Sequence, residues 1–295
     1  MHRHKISKIN PFNNKNKLIN KNDIQNVLKK YGIFQNINNL GIYQEAFTHE
    51  SYSLPHIQKA IDRDNLKLAD KLDGVAPLQN KSYERLEYLG DAIIEGIISK
   101  YLFERYPEED ESFLSRMRVS LVKGMNLAYL SRVVGFGKHL LISRTLEEKE
   151  NGRMKENILE DIFEAFIGAI FIDFNNDKHG FLSSFYSGAG YQVAEKFLIN
   201  LIEDENTKIN FVELILNDGN YKNKLVDYYR RIFRTGITFK TCHIEEENNK
   251  KKYYIDVYRN DTNKLISKGT GVDNKTAQHE AAKQCLISLN LLTSH

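Results

Sequence analysis

Two segments of the chain place carboxylates on one face of an otherwise apolar helical pattern. At 100° per residue, the acidic side chains between Tyr83 and Ile98 fall within one narrow arc; they are Glu84, Glu87, Asp91 and Glu95. Between Asn157 and Phe171, Asp161 and Glu164 also share a face. A helix this apolar is normally buried, and a buried carboxylate has to be protonated, paired with a base or bound to a cation.

Bound cations account for both acidic faces, because Arg85 is the only Lys or Arg within the two segments. Hard divalent cations such as Mg²⁺ prefer oxygen ligands, so the pattern predicts a metal site between two helices. A single acidic pair three residues apart is more often a solvated helix face. Two such pairs, each in a strongly apolar segment, favour the metal site.

The composition indicates a protein with a sizeable core. Of the 295 residues 41% are hydrophobic, which fits two domains or one large domain with appendages. No apolar run approaches the ~20 residues of a membrane span, and no apolar signal segment follows the N-terminus. The two cysteines, Cys242 and Cys285, are too few for a disulfide scaffold. These features predict a cytoplasmic protein with no membrane partner.

The net charge of +3 hides an uneven distribution. Residues 1–30 carry +7, residues 31–218 carry −10 and residues 219–295 carry +6. An acidic centre suits the binding of divalent cations, and basic ends suit the binding of a polyanion. The alternative is that the basic ends are only solvated tails.

Four motifs resemble, in order, those of the ribonuclease III family. Residues 84–91 read ERLEYLGD and resemble the family signature ERLEFLGD, with Tyr88 in place of Phe. Residues 161–173 read DIFEAFIGAIFID and are similar to the family's DxxEALIGAxxLD. Residues 46–52 (AFTHESY) match the family's T-H-x-S-Y element, and residues 106–122 match its connecting region.

The resemblance implies a Mg²⁺-dependent endoribonuclease that hydrolyses double-stranded RNA with two metal ions, with Mn²⁺ able to substitute. Its products would carry a 5′-phosphate, a 3′-hydroxyl and short 3′ overhangs. Position by position, it implies four metal ligands: Glu87, Asp91, Asp161 and Glu164. Glu84 would line the cleft and act through hydrogen bonds or a transient cation. Arg85 is expected to pair with neighbouring carboxylates, and His49 is expected to be structural.

The resemblance also implies a homodimer, with Tyr88 in the dimer interface. Tyr88 stands where the family places an aromatic side chain that inserts into a socket of the partner. The alternative function is a catalytically silent RNA-binding protein. All four implied ligand positions hold carboxylates, and this favours the enzyme.

The predicted organisation has several parts. Residues 1–32 form a basic, Asn/Lys-rich extension that we expect to be disordered. Residues 33–205 form an all-α catalytic domain, with an insertion at about 53–81 that we expect to contain a short helix and a mobile loop. Gly188–Gly190 should precede its closing helix at Tyr191–Ile202. Residues 206–219 form a linker to a second domain at 220–295.

The second domain changes its hydrophobic period. The pattern predicts helix Tyr221–Arg234, with Leu225, Tyr228, Tyr229 and Ile232 on its apolar face. Two strands, Ile237–Ile244 and Tyr253–Tyr258, should be joined by a polar turn. A third strand at Leu265–Gly269 and helix Thr276–Leu292 follow. This α-β-β-β-α order resembles a double-stranded RNA-binding domain of the α+β class.

The match of this domain to its family is weaker than that of the catalytic motifs. Asn274 replaces one of two paired lysines, and only Lys275 remains there. Part of the RNA contact is therefore expected to move to Lys250–Lys252. The predicted RNA-binding residues are Lys222, Lys224, Lys250, Lys251, Lys252, Asn274 and Lys275. The alternative is a domain that binds protein only.

Overall fold

The computed structural model describes residues 8–71, 73–175, 187–207, 209, 221–247, 250–289 and 291. The chain divides into two compact units, Met1–Ile209 and Asn210–His295. Among the described residues, none of the helices combines the length and the apolar composition that a membrane span requires.

The first unit is built from helices, as predicted. They are α1 (Lys21–Lys30), α2 (Leu40–Ala46), α3 (Leu54–Asp64), α4 (Glu84–Arg105), α5 (Glu111–Leu121), α6 (Gly124–Val134), α7 (Arg144–Glu150), α8 (Glu156–Asn175) and α9 (Ser187–Ile202). Short 3₁₀ turns lie at Glu50–Tyr52, Phe136–His139 and Gly152–Met154. Helix α8 is central, because α2, α4, α6 and α9 all pack against it.

Helix α8 is buried because most of its side chains are apolar. Every residue from Ile162 to Ile170 is buried. Phe166 packs against the rings of Phe136, Phe197 and Tyr43, at centroid distances of 4.6, 5.5 and 5.7 Å. Tilted ring pairs of this kind stabilise a core beyond simple area burial. Helix α8 is therefore the fixed element on which the acidic side chains of the second motif are mounted.

Helices α4 and α8 cross with their backbones in contact. A methyl group on Gly90 would overlap the carbonyl oxygen of Glu164, and one on Gly168 would overlap the carbonyl oxygen of Leu86. Only glycine, which has no Cβ, permits so close an approach at these two positions. The crossing places the first acidic motif beside the second.

The prediction that residues 1–32 are disordered is wrong for residues 8–32. Strand β1 (Lys8–Ile9) pairs in parallel with β2 (Lys67–Leu68), and a capping box begins helix α1. Apolar side chains spaced among the Asn and Lys residues reach the core; they are Phe12, Ile19, Ile24 and Leu28. Their burial outweighs the polar composition that suggested disorder. Residues 1–7 lie outside the described residues.

Two buried asparagines of this segment, Asn13 and Asn16, form hydrogen bonds with the backbone of Ile142, far along the chain. Asn16 donates from Nδ2 to the carbonyl oxygen of Ile142 at 2.9 Å and accepts from the Ile142 N–H at 3.3 Å. Its Oδ1 also accepts from Arg153 at 2.7 Å. Asn13 adds a bond from Nδ2 to Ile142 O at 3.3 Å. The segment is thus bonded to the domain as well as packed on it.

The insertion contains its predicted helix, α3, which is followed by β2. The described residues between β2 and α4 form the expected loop. The Tyr52 hydroxyl donates to the carbonyl oxygen of Ala76 in this loop at 2.7 Å. The Leu54 N–H also donates to Gln79 O at 2.7 Å. Hydrogen bonds therefore join the beginning of the insertion to its end, just before α4 begins.

The prediction that Gly188–Gly190 precede the closing helix is also wrong. Both glycines lie inside α9. Gly190 contacts the backbone of Phe171 so closely that a Cβ would collide with it. The Gly190 N–H donates to Asn175 Oδ1 at 2.7 Å. A close helix contact explains Gly190, whereas nothing in the described part of the structure requires glycine at Gly188.

The second unit has the predicted helix, three strands and helix. They are α10 (Tyr221–Phe233), β3 (Ile237–Glu247), β4 (Lys250–Arg259), β5 (Leu265–Gly271) and α11 (Asn274–Ser288). The antiparallel sheet has the order β3-β4-β5. Its core includes Leu225, Tyr229, Ile255 and Val257, together with Ala277, Ala281 and Cys285 of α11. Ile232 is exposed, contrary to the prediction.

The predicted turn between β3 and β4 is wrong, because most of its residues extend the hairpin. Glu245 pairs with Lys252, Glu246 with Lys251, and Glu247 with Lys250. Opposite charges that face each other across an antiparallel pair stabilise it, so the polar composition lengthens the strands instead of ending them.

The helix crossing predicts a sharp difference between two glycines of α4. Gly90→Ala should lower the free energy of unfolding by about 3 kcal/mol or more, because the methyl group overlaps rigid backbone. In Gly96→Ala, the new Cβ meets only the Tyr191 hydroxyl at 3.4 Å. That control should be neutral or up to about 1 kcal/mol more stable. Urea denaturation of both variants tests this, and equal effects would contradict the crossing.

The buried N-terminal segment predicts that Asn16→Ala destabilises the protein. The change leaves the Ile142 N–H unpaired and removes an acceptor from Arg153, at a cost of about 1–3 kcal/mol. Asn14→Ala is the matched control, because Asn14 is exposed two residues away. Thermal melting of the two variants is the measurement. Identical melting temperatures would mean that the segment does not contribute to folding.

Candidate functional site

The predicted ligands lie on one surface where α4 meets α8. Glu87 and Asp91 come from α4, and Asp161 and Glu164 come from α8. Glu164 is only 8% exposed, Glu87 and Asp161 are half-buried, and Asp91 is exposed. In the described part of the chain, none of the four forms an ion pair with Lys or Arg. The surface is therefore a group of unneutralised carboxylates at the edge of an apolar core.

Burial and mutual repulsion both disfavour ionisation of this group. Burial raises the pKa of Glu164 to about 9, and the charges of Asp91, Glu160 and Glu87 add to the effect. Burial raises the pKa of Glu87 to about 7, with Asp161 and Glu84 as the nearest contributing charges. Burial also raises the pKa of Asp161. Such shifts mark carboxylates whose charges the protein itself does not compensate.

The donor set fits a hard divalent cation, since every donor is a carboxylate oxygen. Among the described residues, no three Asp, Glu, His or Cys side chains already converge on one point. Repulsion between like charges keeps uncompensated carboxylates apart. A bound cation would remove that repulsion.

The structure adds Tyr83, which the sequence analysis did not identify. Its hydroxyl donates to Asp161 Oδ2 at 2.8 Å, and the side chain is buried. This bond connects the start of α4 to the carboxylate on α8 and orients it. The available signal was position alone, since Tyr83 directly precedes the first motif.

Glu160 is a fifth carboxylate that the motif comparison missed. Burial, Asp161 and Asp91 raise its pKa, and its carboxylate lies against the backbone of Gly124. The signal in the sequence was its spacing, because Glu160 and Glu164 are four residues apart on one helix. Glu160 thus adds negative charge to the acidic surface.

His49 has the structural role that the resemblance implied. Its Nδ1 accepts the Ser51 N–H at 3.0 Å, and its ring packs against Tyr83 with centroids 5.7 Å apart. Burial lowers the pKa of His49 to about 4, so the ring is neutral near pH 7. It therefore shapes the loop that supports Tyr83.

Glu84 and Arg85 of the first motif face solvent. Glu84 accepts a hydrogen bond from Ser82 Oγ at 3.1 Å. Arg85 was expected to pair with neighbouring carboxylates, but it is exposed and forms no ion pair with any described residue. That expectation is wrong, because the Arg85 side chain lines a cleft beside Glu84 without forming an ion pair to a described residue.

Tyr88 is 83% exposed and belongs to an apolar stripe on α4. The stripe also contains Ala92 and Phe103, which point to the same side of the helix. Phe103 is 70% exposed. So much exposed apolar surface on one helix is typical of a protein interface.

The predicted RNA-binding residues of the second unit fall into two groups. Lys222 donates to Gln278 Oε1 at 2.6 Å, and Gln278 in turn donates to Asn274. Asn274 also donates to Thr241 on β3 at 3.0 Å, and Lys275 is exposed beside it. Lys224 is half-buried on α10. The structure therefore brings Lys222, Asn274 and Lys275 to one end of α11.

Lys250, Lys251 and Lys252 are not in the loop where we expected them. They lie on β4, where Lys251 is 3.7 Å from Glu246 and Lys252 lies over the Tyr254 ring. Glu246 is five residues along β3 from Thr241, a distance of about 17 Å. Lys251 and Lys252 thus lie opposite Glu246 and Glu245, and they are separate from the first group.

The part of the chain that carries both acidic motifs is similar to a known protein family. Residues 84–175 match the Ribonuclease III domain family model. "Ribonuclease 3" from Streptococcus pyogenes serotype M1 is 30% identical over 254 residues, which cover 86% of this chain and 92% of that protein. "Probable ribonuclease 3" from Acanthamoeba polyphaga mimivirus is 32% identical over 214 residues, and the match spans 72% of this chain but 35% of the viral protein.

A solved nuclease domain of ribonuclease III from Campylobacter jejuni is 24% identical to the chain. The match covers 65% of this chain and all of that domain, with a TM-score of 0.46.

The raised pKa values predict how stability depends on pH when divalent cations are chelated. In the unfolded chain, Glu164 and Glu87 return to pKa values near 4.5. The folded protein therefore holds extra protons between about pH 4.5 and 9, and its stability should fall as the pH rises through that window. At pH 8, Glu164→Gln should raise the melting temperature by roughly 2–5 °C.

The matched control is Glu95→Gln, an exposed carboxylate on α4. Melting curves in chelator at pH 5 to 9 should give the shallowest pH dependence for Glu164→Gln. The same pH dependence in all three proteins would show that Glu164 is not electrostatically strained.

Proposed function

The chain belongs to the ribonuclease III family of endoribonucleases, and from that premise we propose that it hydrolyses double-stranded RNA with Mg²⁺ held between α4 and α8. The observation that carries the proposal is the close contact between α4 and α8 at Gly90 and Gly168. It supports four unpaired carboxylates on one surface, at the four positions that match the family motifs. Mn²⁺ is an alternative cation, because it accepts the same oxygen ligands.

The residues that would hold the cations are Glu87, Asp91, Asp161 and Glu164. Bound divalent cations would supply an activated water and offset the charge that develops on the phosphate. Glu87 and Glu164 would release protons as they become ligands, because both have raised pKa values. Tyr83 would hold Asp161 in one orientation through its hydroxyl. Glu84 would lie at the edge of this group and act through hydrogen bonds or a transient cation.

The proposed products are duplexes with short 3′ overhangs, a 5′-phosphate and a 3′-hydroxyl. They are consistent with two active sites that each cut one strand, and this requires two copies of the chain. The exposed apolar stripe around Tyr88 supports a homodimer formed through α4. Burial of such a surface is a strong driving force for association.

We assign duplex binding chiefly to the second unit, as a double-stranded RNA-binding domain. Its charge of +6 and the grouping of Lys222, Asn274 and Lys275 support the assignment. Asp273 caps α11 by accepting the Thr276 N–H at 2.7 Å, and its negative charge there opposes a phosphate. Lys251 and Lys252 contribute less, because the neighbouring glutamates offset their charge.

Loss of a single ligand tests the proposed chemistry. Asp91→Ala and Glu164→Ala should each lower cleavage of a 30-base-pair duplex RNA by at least about a hundredfold, because an incomplete ligand set holds the cations poorly. Both variants should fold and bind RNA, and Glu95→Ala should cleave normally. Product ends are sequenced after reaction with Mg²⁺. Wild-type turnover in either ligand variant would show that the carboxylates are not the site.

A charge in the apolar stripe tests the dimer. Tyr88→Asp should produce a monomer at micromolar concentration in sedimentation velocity, because burying the carboxylate costs several kcal/mol. Phe34→Asp is the control, since Phe34 is 72% exposed elsewhere in the first unit. A wild-type protein that sediments as a monomer yet cleaves both strands fully would exclude the proposed assembly.

A further inference from the structure

A cleft of about 270 Å³ lies between the insertion and the first turn of α4. Lys59 and His56 of α3 form one side, and Lys81 and Arg85 form the other. Glu84 lies on its rim, so the cleft adjoins the acidic surface. Apart from Glu84, none of these residues has a role in the proposed chemistry.

Two of the four basic side chains already have an acidic partner. Lys81 Nζ lies 3.3 Å from Glu45, and His56 Nδ1 lies 3.2 Å from Glu50. Lys59 and Arg85 are exposed, and neither forms an ion pair with any described residue. The cleft therefore presents two cations on opposite walls whose charge is available to an anion.

The walls of the cleft are held in place by the fold. The Leu54 N–H bonds to Gln79 O at 2.7 Å, and the Gln79 N–H bonds to Tyr52 O at 3.2 Å. These bonds join the beginning of α3 to the segment that leads into α4. Because these bonds join the two walls at their base, the backbone segments that carry Lys59 and Arg85 are held beside each other without a ligand.

The cleft is also close to the carboxylates along α4. Arg85 precedes Glu87 by two residues and Asp91 by six, which correspond to about 3 and 9 Å along the helix. A duplex carries a phosphate on each strand every few ångströms of its axis, on the order of 3 Å. A strand held at the carboxylates therefore presents a neighbouring phosphate within reach of the cleft.

We propose that this cleft binds a backbone phosphate of the RNA strand that is being cut, with Lys59 and Arg85 as its ligands. The guanidinium of Arg85 can bind two phosphate oxygens at once, and Lys59 adds a point charge from the opposite wall. The insertion thereby gives the catalytic unit a substrate contact of its own. The inference rests on the proposed function, since it assigns a further contact to the same substrate.

Binding of RNA by the full chain tests the proposal apart from cleavage. The probe is a labelled 30-base-pair duplex RNA, titrated at several salt concentrations with Ca²⁺ in place of Mg²⁺. The Lys59→Ala/Arg85→Ala double variant should bind about five- to tenfold more weakly. Its log–log salt slope should fall by about one to two, because fewer phosphate contacts release fewer counterions.

Lys67→Ala is the matched control, because Lys67 is an exposed lysine of the same insertion on β2, outside the cleft. It should bind within about twofold of the wild type. The charge-conserving pair Lys59→Arg/Arg85→Lys should restore most of the affinity and of the salt slope. Melting curves confirm that the variants are folded before they are compared.

The outcomes separate this inference from the proposed function. If the wild type binds duplex RNA and the double variant matches Lys67→Ala in affinity and salt slope, the cleft does not bind phosphate. That result leaves the proposed function intact. A wild-type protein that binds no duplex RNA overturns the proposed function and this inference with it.

Discussion

The backbone contact between α4 and α8 is the constraint on which the rest of the molecule depends. Gly90 and Gly168 let two helices approach to a distance that no side chain would permit. The approach places the acidic residues of two distant motifs on one surface and buries Glu164 at its base. The charge on that surface is consequently a property of the pair of helices, and neither helix alone would produce it.

The same contact lowers the stability of the ionised protein, because it crowds the carboxylates that form the acidic surface. Carboxylates that are crowded and partly buried resist ionisation, as the raised pKa values of Glu164 and Glu87 show. The protein tolerates them because α8 is anchored by an aromatic core and because Tyr83 bonds to Asp161. A rigid apolar framework with an uncompensated acidic edge is the arrangement expected of a site that gains its stability from a cation.

The N-terminal segment and the insertion form one structure beside this site. Strand β1 pairs with β2, and buried asparagines connect the segment to the backbone of Ile142. The parallel pairing joins the N-terminal segment to the insertion, and His56 and Lys59 of the insertion form one wall of a cleft next to the carboxylates.

The sequence by itself determined the features that depend on residue type and local period. These are the carboxylate pattern, the apolar face of α8 and the element order of the second unit. Tertiary structure decided the rest. Asn16 is bonded to a residue 126 positions away, and Tyr83 to one 78 positions away. Residues 245–247 lengthen β3 by pairing with residues 250–252 of β4. Composition and periodicity carry no information about such partners, because the contact energy arises only when the chain brings them together.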